Sequence, residues 1–126
     1  MRPRATVLTE QELEIMKVIW DRERVTVRDV YETLLERRKV AYTTVMTMMR
    51  ILEDKGYLSK SEAAKAYVYE ATEAKEHVVG GMVSEFLQRV FDGAAKPLLL
   101  HRAENREVSA KEMEEIAAIL KKRKKR

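Results

Sequence analysis

A chain of 126 residues, 45% apolar and 37% charged, suits one compact domain, or a small domain with an accessory piece, under a well-solvated surface. It has no cysteine, which excludes disulfides and thiolate metal sites, and no apolar run approaches the ~20 residues of a membrane span. The net charge of +4 belongs to the end of the chain: Lys121-Lys122-Arg123-Lys124-Lys125-Arg126 contributes +6 and the rest −2.

Within the body of the chain the charge is uneven. Residues 1–36 hold six basic and eight acidic side chains, whereas residues 37–65 hold seven basic and three acidic. Met1-Arg2-Pro3-Arg4 is followed by no apolar stretch of the kind a signal peptide needs, so a cytoplasmic location is the default expectation.

The first helix is expected from about Thr9 to Asp21, with Leu13, Met16, Ile19 and Trp20 on one face. Its start carries a Thr followed three residues later by Glu12, flanked by the apolar pair Leu8 and Leu13. That pattern predicts reciprocal side-chain caps and a hydrophobic staple. The same signature recurs at Val25-Thr26…Asp29-Val30 and at Val108-Ser109…Glu112-Met113. Asp29 is shorter than glutamate, so the second box is expected to be the weakest. The second helix is expected from about Thr26 to Arg37, with Val27, Val30, Tyr31 and Leu34 inward. The link between the two helices is short, which makes them neighbours in space.

The third helix lies in "AYTTVMTMMRILEDKGYLSK", residues 41–60. At ~100° per residue, Ala41, Val45, Met48, Met49 and Leu52 share one face, and Thr43, Thr47, Arg50 and Asp54 the opposite one. Thr44 and Met46 flank. Gly56 is expected to end the helix in a left-handed conformation. Residues 57–61 and 66–70 read as the two strands of a hairpin around a small polar turn. From Thr72 the helical pattern returns, with Val78, Val79, Met82, Val83, Phe86, Leu87, Val90 and Phe91 on a broad apolar face that ends at Asp92-Gly93. Gly80-Gly81 weakens this helix by ~1 kcal/mol per glycine against alanine, which predicts close packing of another helix there. Pro97 opens a short segment through Leu98-Leu99-Leu100, and a last helix from Ser109 buries Met113, Ile116, Ile119 and Leu120. The glycine pair and the segment 93–108 are read as an accessible, adjustable stretch. The basic tail is expected to be disordered and solvated.

The chemistry concentrates on the third helix. A helix that enters the DNA major groove needs an apolar side for docking and a side of short polar or forked residues for base edges. Threonine hydroxyls donate or accept, their methyls meet thymine methyls, and arginine grips guanine or phosphate. Thr43, Thr44, Thr47 and Arg50 supply the second side and the methionines the first. Lys60 and Lys65, on the adjoining hairpin, reach phosphates, which add affinity without sequence. Taken alone, the same polar face is equally an ordinary solvated one. Met46, Met48 and Met49 are read as core filling rather than a thioether metal site, and His77 and His101 as isolated surface histidines. No phosphate-binding glycine loop, nucleophile elbow or paired helical histidines occur, so neither an enzyme nor a cofactor is expected. Residues 72–126 are few for a core of their own, which points to a core shared between two copies, matching a palindromic site on double-stranded DNA.

The segments "LTEQELEIMKVIW", "VYETL", "AYTTVMTMMRILEDKGYL", "AYVYEA" and the helix around "FLQRVFDG" resemble the BlaI/MecI family of penicillinase repressors over about residues 7 to 120. The resemblance implies a mostly α fold: a winged helix-turn-helix domain, residues 1–71 (three helices plus a β-hairpin wing), then a C-terminal helical dimerisation domain, residues 72–126. It implies a dimeric transcriptional repressor on an inverted-repeat operator, controlling β-lactam-response or related genes. The DNA-binding residues would be Tyr42, Thr43, Thr44, Thr47, Arg50, Lys60 and Lys65. The dimer helices would include Val79, Met82, Val83, Phe86, Leu87 and Val90. In the penicillinase-repressor branch a membrane sensor-protease system cleaves an Asn-Phe bond before the last helix; here His101-Arg102 stands in that place, which argues against that route or for a changed specificity. The copper-responsive branch uses Cys-x-Cys motifs, which this cysteine-free chain lacks. The competing expectation, from the near-neutral charge outside the tail, is a winged-helix module that binds protein rather than specific DNA.

Overall fold

The computed structural model describes residues 8–124, so the extreme N-terminus, with Met1-Arg2-Pro3-Arg4, and Lys125-Arg126 lie outside the described residues. The elements run α1 (Glu10–Arg22), α2 (Val27–Leu35), α3 (Tyr42–Asp54), β1 (Leu58–Ala63), β2 (Ala66–Ala71), α4 (Lys75–Phe91), α5 (Lys96–Glu104) and α6 (Ala110–Lys124). Packing divides the chain into two compact units between Val83 and Ser84, inside α4. The sequence pattern changes earlier, at Ala71-Thr72. The start of α4 belongs with the first unit because Val78 is buried in its core and Met82 packs against it.

In the first unit, α1, α2 and α3 close over a core that includes Ile15, Met16, Ile19, Val30, Leu34, Val45, Met49 and Leu52, all nearly or fully inaccessible. Both expected capping boxes form. Thr9 Oγ1 accepts from Glu12 N at 3.1 Å and Glu12 Oε1 from Thr9 N at 2.9 Å; Thr26 and Asp29 make the same two bonds at 3.1 and 2.9 Å. The shorter aspartate therefore caps as closely as glutamate. Leu8 and Val25 are buried ahead of their caps, as a staple requires. Helix α2 stops at Leu35 rather than Arg37: residues 35–39 are all exposed, so no apolar contact extends it.

Helix α1 ends in strain. Glu23 adopts φ 74°, ψ −56°, and Arg24 N donates to Arg22 O at 2.9 Å, a γ-turn of the rare kind. That turn delivers Val25 to the hairpin, where it exchanges both backbone bonds with Tyr69, at 3.1 and 2.7 Å. Strands β1 and β2 pair antiparallel from Leu58↔Ala71 to Ala63↔Ala66, leaving a two-residue turn, Ala64-Lys65. The strands are thus longer and the turn tighter than the sequence suggested. Ala64 takes φ 55°, a value the tight hairpin turns demand at their first central residue.

Helix α3 ends as its glycine predicts. Gly56 has φ 92°; its N–H donates to Glu53 O, and Tyr57 N to Leu52 O, both at 2.9 Å, which is the Schellman pair. Thr72 then ties the exit of β2 back to this corner through Gly56 O at 2.7 Å. Trp20 Nε1 donates to Glu73 O at 3.0 Å, fixing the approach to α4 against α1.

In the second unit, Pro97 lies in the first turn of α5, and Ser109 and Glu112 form the third box at 3.1 and 2.9 Å. Residues 93–108 therefore hold a helix, exposed apart from half-buried Leu98, Leu99 and Val108. Helix α5 closes with a Schellman pair, Arg106 N to Ala103 O at 3.0 Å and Glu107 N to Arg102 O at 2.8 Å. Arg106 stands at φ 60° where glycine is usual. Three expectations need correction. Among the described residues nothing lies within 4 Å of where a Cβ would stand on Gly80 or Gly81, so the close packing expected there is not seen. The basic tail is helical through Lys124: lysine and arginine are good helix formers, and cations near a C-terminus oppose the helix dipole. In α6, Ile116, Ile119 and Leu120 are exposed rather than buried, and Met113 is half-buried.

Candidate nucleic-acid interface

Helix α3 is held from behind. Val45, Met49 and Leu52 are buried, Met48 packs on the core, and Met46 is half-buried. Ala41, expected on the docking face, is instead the exposed N-cap, with no side-chain cap bond. Thr43 and Thr44 do not start the helix by capping; they stand exposed in its first turn. Thr47 and Arg50 are exposed beyond them, so the polar strip faces away from the core along its length. Thr43, Thr44 and Thr47 form one wall of an open cleft of about 460 Å³, whose other wall is Thr9, Gln11 and Glu12 of the α1 start, with Met48 and Ile51 between; Arg50 lies outside it.

Glu12 secures this geometry. It is 4% exposed, and its Oε2 accepts from Lys55 Nζ at 2.7 Å while Oε1 keeps the Thr9 cap. Burial by itself raises the carboxyl pKa, but the Lys55 ammonium and the Thr9 donors together outweigh it and hold the pKa below the ordinary value. The α1 start is thereby clamped to the residue that ends α3. Sequence reading found Glu12 as a cap but not as an ion-pair partner, because its contact with Lys55 spans 43 residues.

The remaining site residues separate. Tyr42 packs edge-on against Tyr31 at 5.3 Å, and the Arg28 guanidinium lies 5.8 Å from its ring, so Arg28 joins the α3 start. No sequence signal singled out Arg28; only the fold brings it to Tyr42. Lys65 stands exposed at the hairpin turn. Lys60 is engaged: its Nζ lies 3.6 Å from Glu53 Oε1 and 4.5 Å from the Tyr67 ring centroid. Of the apolar candidates on α4, Val79, Met82 and Leu87 are half-buried, while Val83, Phe86 and Val90 are exposed. His77 lies 2.9 Å from Glu73, and His101 beside Asn105. Among the described residues no cluster of His, Asp or Glu is arranged to hold a metal, and no helix is long and apolar enough to cross a membrane.

Three packed helices, the third with an outward polar strip, followed by a hairpin, define a winged helix-turn-helix protein. The fold agrees with that of the DNA-binding domain of the repressor BlaI solved in solution, at 27% identity and a TM-score of 0.53 over 60% of this chain and 90% of that one. The chain belongs to the penicillinase repressor family, whose model matches residues 8–122. It is similar to the penicillinase repressor of Bacillus licheniformis, 28% identical over 94% of this chain and 93% of that one, and to the transcriptional regulator BlaI of Mycobacterium tuberculosis, 34% identical over 79% and 73%. The family is one of transcriptional repressors, not of enzymes.

Proposed function

We propose that the protein is a homodimeric repressor that lays α3 in the major groove of an inverted-repeat operator. Thr43, Thr44, Thr47 and Arg50 meet base edges, and Tyr42, Lys60 and Lys65 meet the backbone. The observation that carries the reading is the exposed strip of hydroxyls and one guanidinium on a helix whose other side is buried. Residues 1–71 serve DNA and residues 72–126 the pairing of two copies. The second unit supports pairing by what it leaves uncovered: Phe86, Val90, Leu100, Ile116, Ile119 and Leu120 are exposed, Leu120 by 63%. Apolar surface on this scale is ordinarily covered by a partner, and a second copy matches the two-fold symmetry of a palindrome. The open space at Gly80 and Gly81 suits close approach of a partner helix. The protein acts in the cytoplasm, on β-lactam-response or related genes. A membrane sensor-protease is the partner to test for induction, but its bond would be His101-Arg102 inside α5, which must unwind to enter a protease cleft.

The test is titration of the DNA upstream of the gene at graded salt. Tight, salt-dependent binding to a palindrome with half-sites about 10 base pairs apart, or a multiple of that, is expected. A chain that binds no duplex even at low salt would instead be a protein-interaction module.

A further inference from the structure

We infer that Glu53 is a built-in brake on sequence-independent DNA affinity, acting by neutralising Lys60 of the wing; the inference rests on the DNA-binding reading above. Glu53 lies in the last turn of α3 and Lys60 on β1. The register sets Lys60 opposite Tyr69 and Glu62 opposite Tyr67, so Tyr67 reaches Lys60 diagonally across the hairpin. The ammonium is thereby held between a carboxylate at 3.6 Å and a ring face at 4.5 Å. The Lys60 and Glu53 side chains keep 33% and 29% of their exposure, so a phosphate can approach both. Tyr69, the register partner of Lys60, is buried, and Lys60, Glu53 and Arg50 all lie close enough for their charges to act on it.

The contrast with the neighbouring cations gives the arrangement its meaning. Among the described residues neither Arg50 nor Lys65 is in an ion pair, and both are exposed. A phosphate that takes Lys60 must do so beside a fixed negative charge, whereas Lys65 meets it unopposed. An exposed pair of this kind adds little to folding, so its main consequence is electrostatic, toward a polyanion. Phosphate contacts carry no sequence information, so the brake acts on all duplexes alike and weakens the steepness of the salt response.

The experiment is a salt titration of the full-length protein on a random-sequence duplex with Glu53→Gln, Lys60→Met and the double variant. Glu53→Gln should bind about 3- to 10-fold tighter at low salt, with a log–log salt slope steeper by up to about 0.9, the value of one added cation. The gain should vanish in the double variant, and Lys60→Met alone should lose less affinity than Lys65→Ala. An unchanged slope in Glu53→Gln, or a gain that survives Lys60→Met, overturns the inference while leaving DNA binding intact. Failure of the wild type to bind any duplex removes both.

Discussion

Lys55 joins the ends of two helices through a carboxylate that is almost inaccessible, and its loss would strand that charge. Breaking a fully buried pair costs about 3–5 kcal/mol; Lys55 retains 27% of its side-chain exposure, so Lys55→Met is expected to cost about 1–3 kcal/mol in urea unfolding. The pH dependence has a definite sign. The folded pKa of Glu12 is depressed, so its contribution is present above the unfolded carboxylate value and is lost as pH falls through the lower folded value. In Lys55→Met only the Thr9 donors still oppose burial, so the Glu12 carboxyl is less depressed than in wild type, and the stability gap to wild type should narrow as the solution is acidified below about pH 4.3. A gap constant with pH would deny the ion pair its role. Arg106 offers the opposite change. It stands at φ 60° in the closing turn of α5, and glycine there should raise stability by up to about 1 kcal/mol, read as a higher midpoint in thermal unfolding.

Elements whose causes are local were legible from the residues. The three capping boxes mark the starts of α1, α2 and α6, and Gly56 marks the end of α3, because each depends on groups within a few residues of one another. The hairpin was legible in kind but not in register, since its turn uses Ala64 at a positive φ that no turn signal announced. Contacts between different elements were not legible: Glu12 with Lys55, Arg28 with Tyr42, Glu53 with Lys60. The outward strip was foreseen from periodicity, while the engagement of Lys60 was not, because periodicity does not say which strand residue faces a helix carboxylate. At this scale Lys65→Ala should weaken binding to all duplexes similarly and reduce the salt slope by about 1, as measured by salt titration.

For the whole molecule, the proposed pairing of two copies turns one modest helix contact into recognition of two half-sites at once. The uncovered apolar positions give this a direct test. Val90 is 51% exposed, and Val90→Glu should shift sedimentation from dimer to monomer while leaving the unfolding of the first unit, whose core does not include it, unchanged. A variant that sediments as wild type would remove α4 from the interface. The central claim is that the α3 strip reads bases, and the most direct measurement is the ratio of operator to base-substituted operator affinity for Thr47→Ala and Arg50→Ala at fixed salt. Each substitution is expected to relax discrimination at one base position by about 1–3 kcal/mol, with random-sequence binding little changed for Thr47→Ala. Undiminished discrimination in both variants would contradict it.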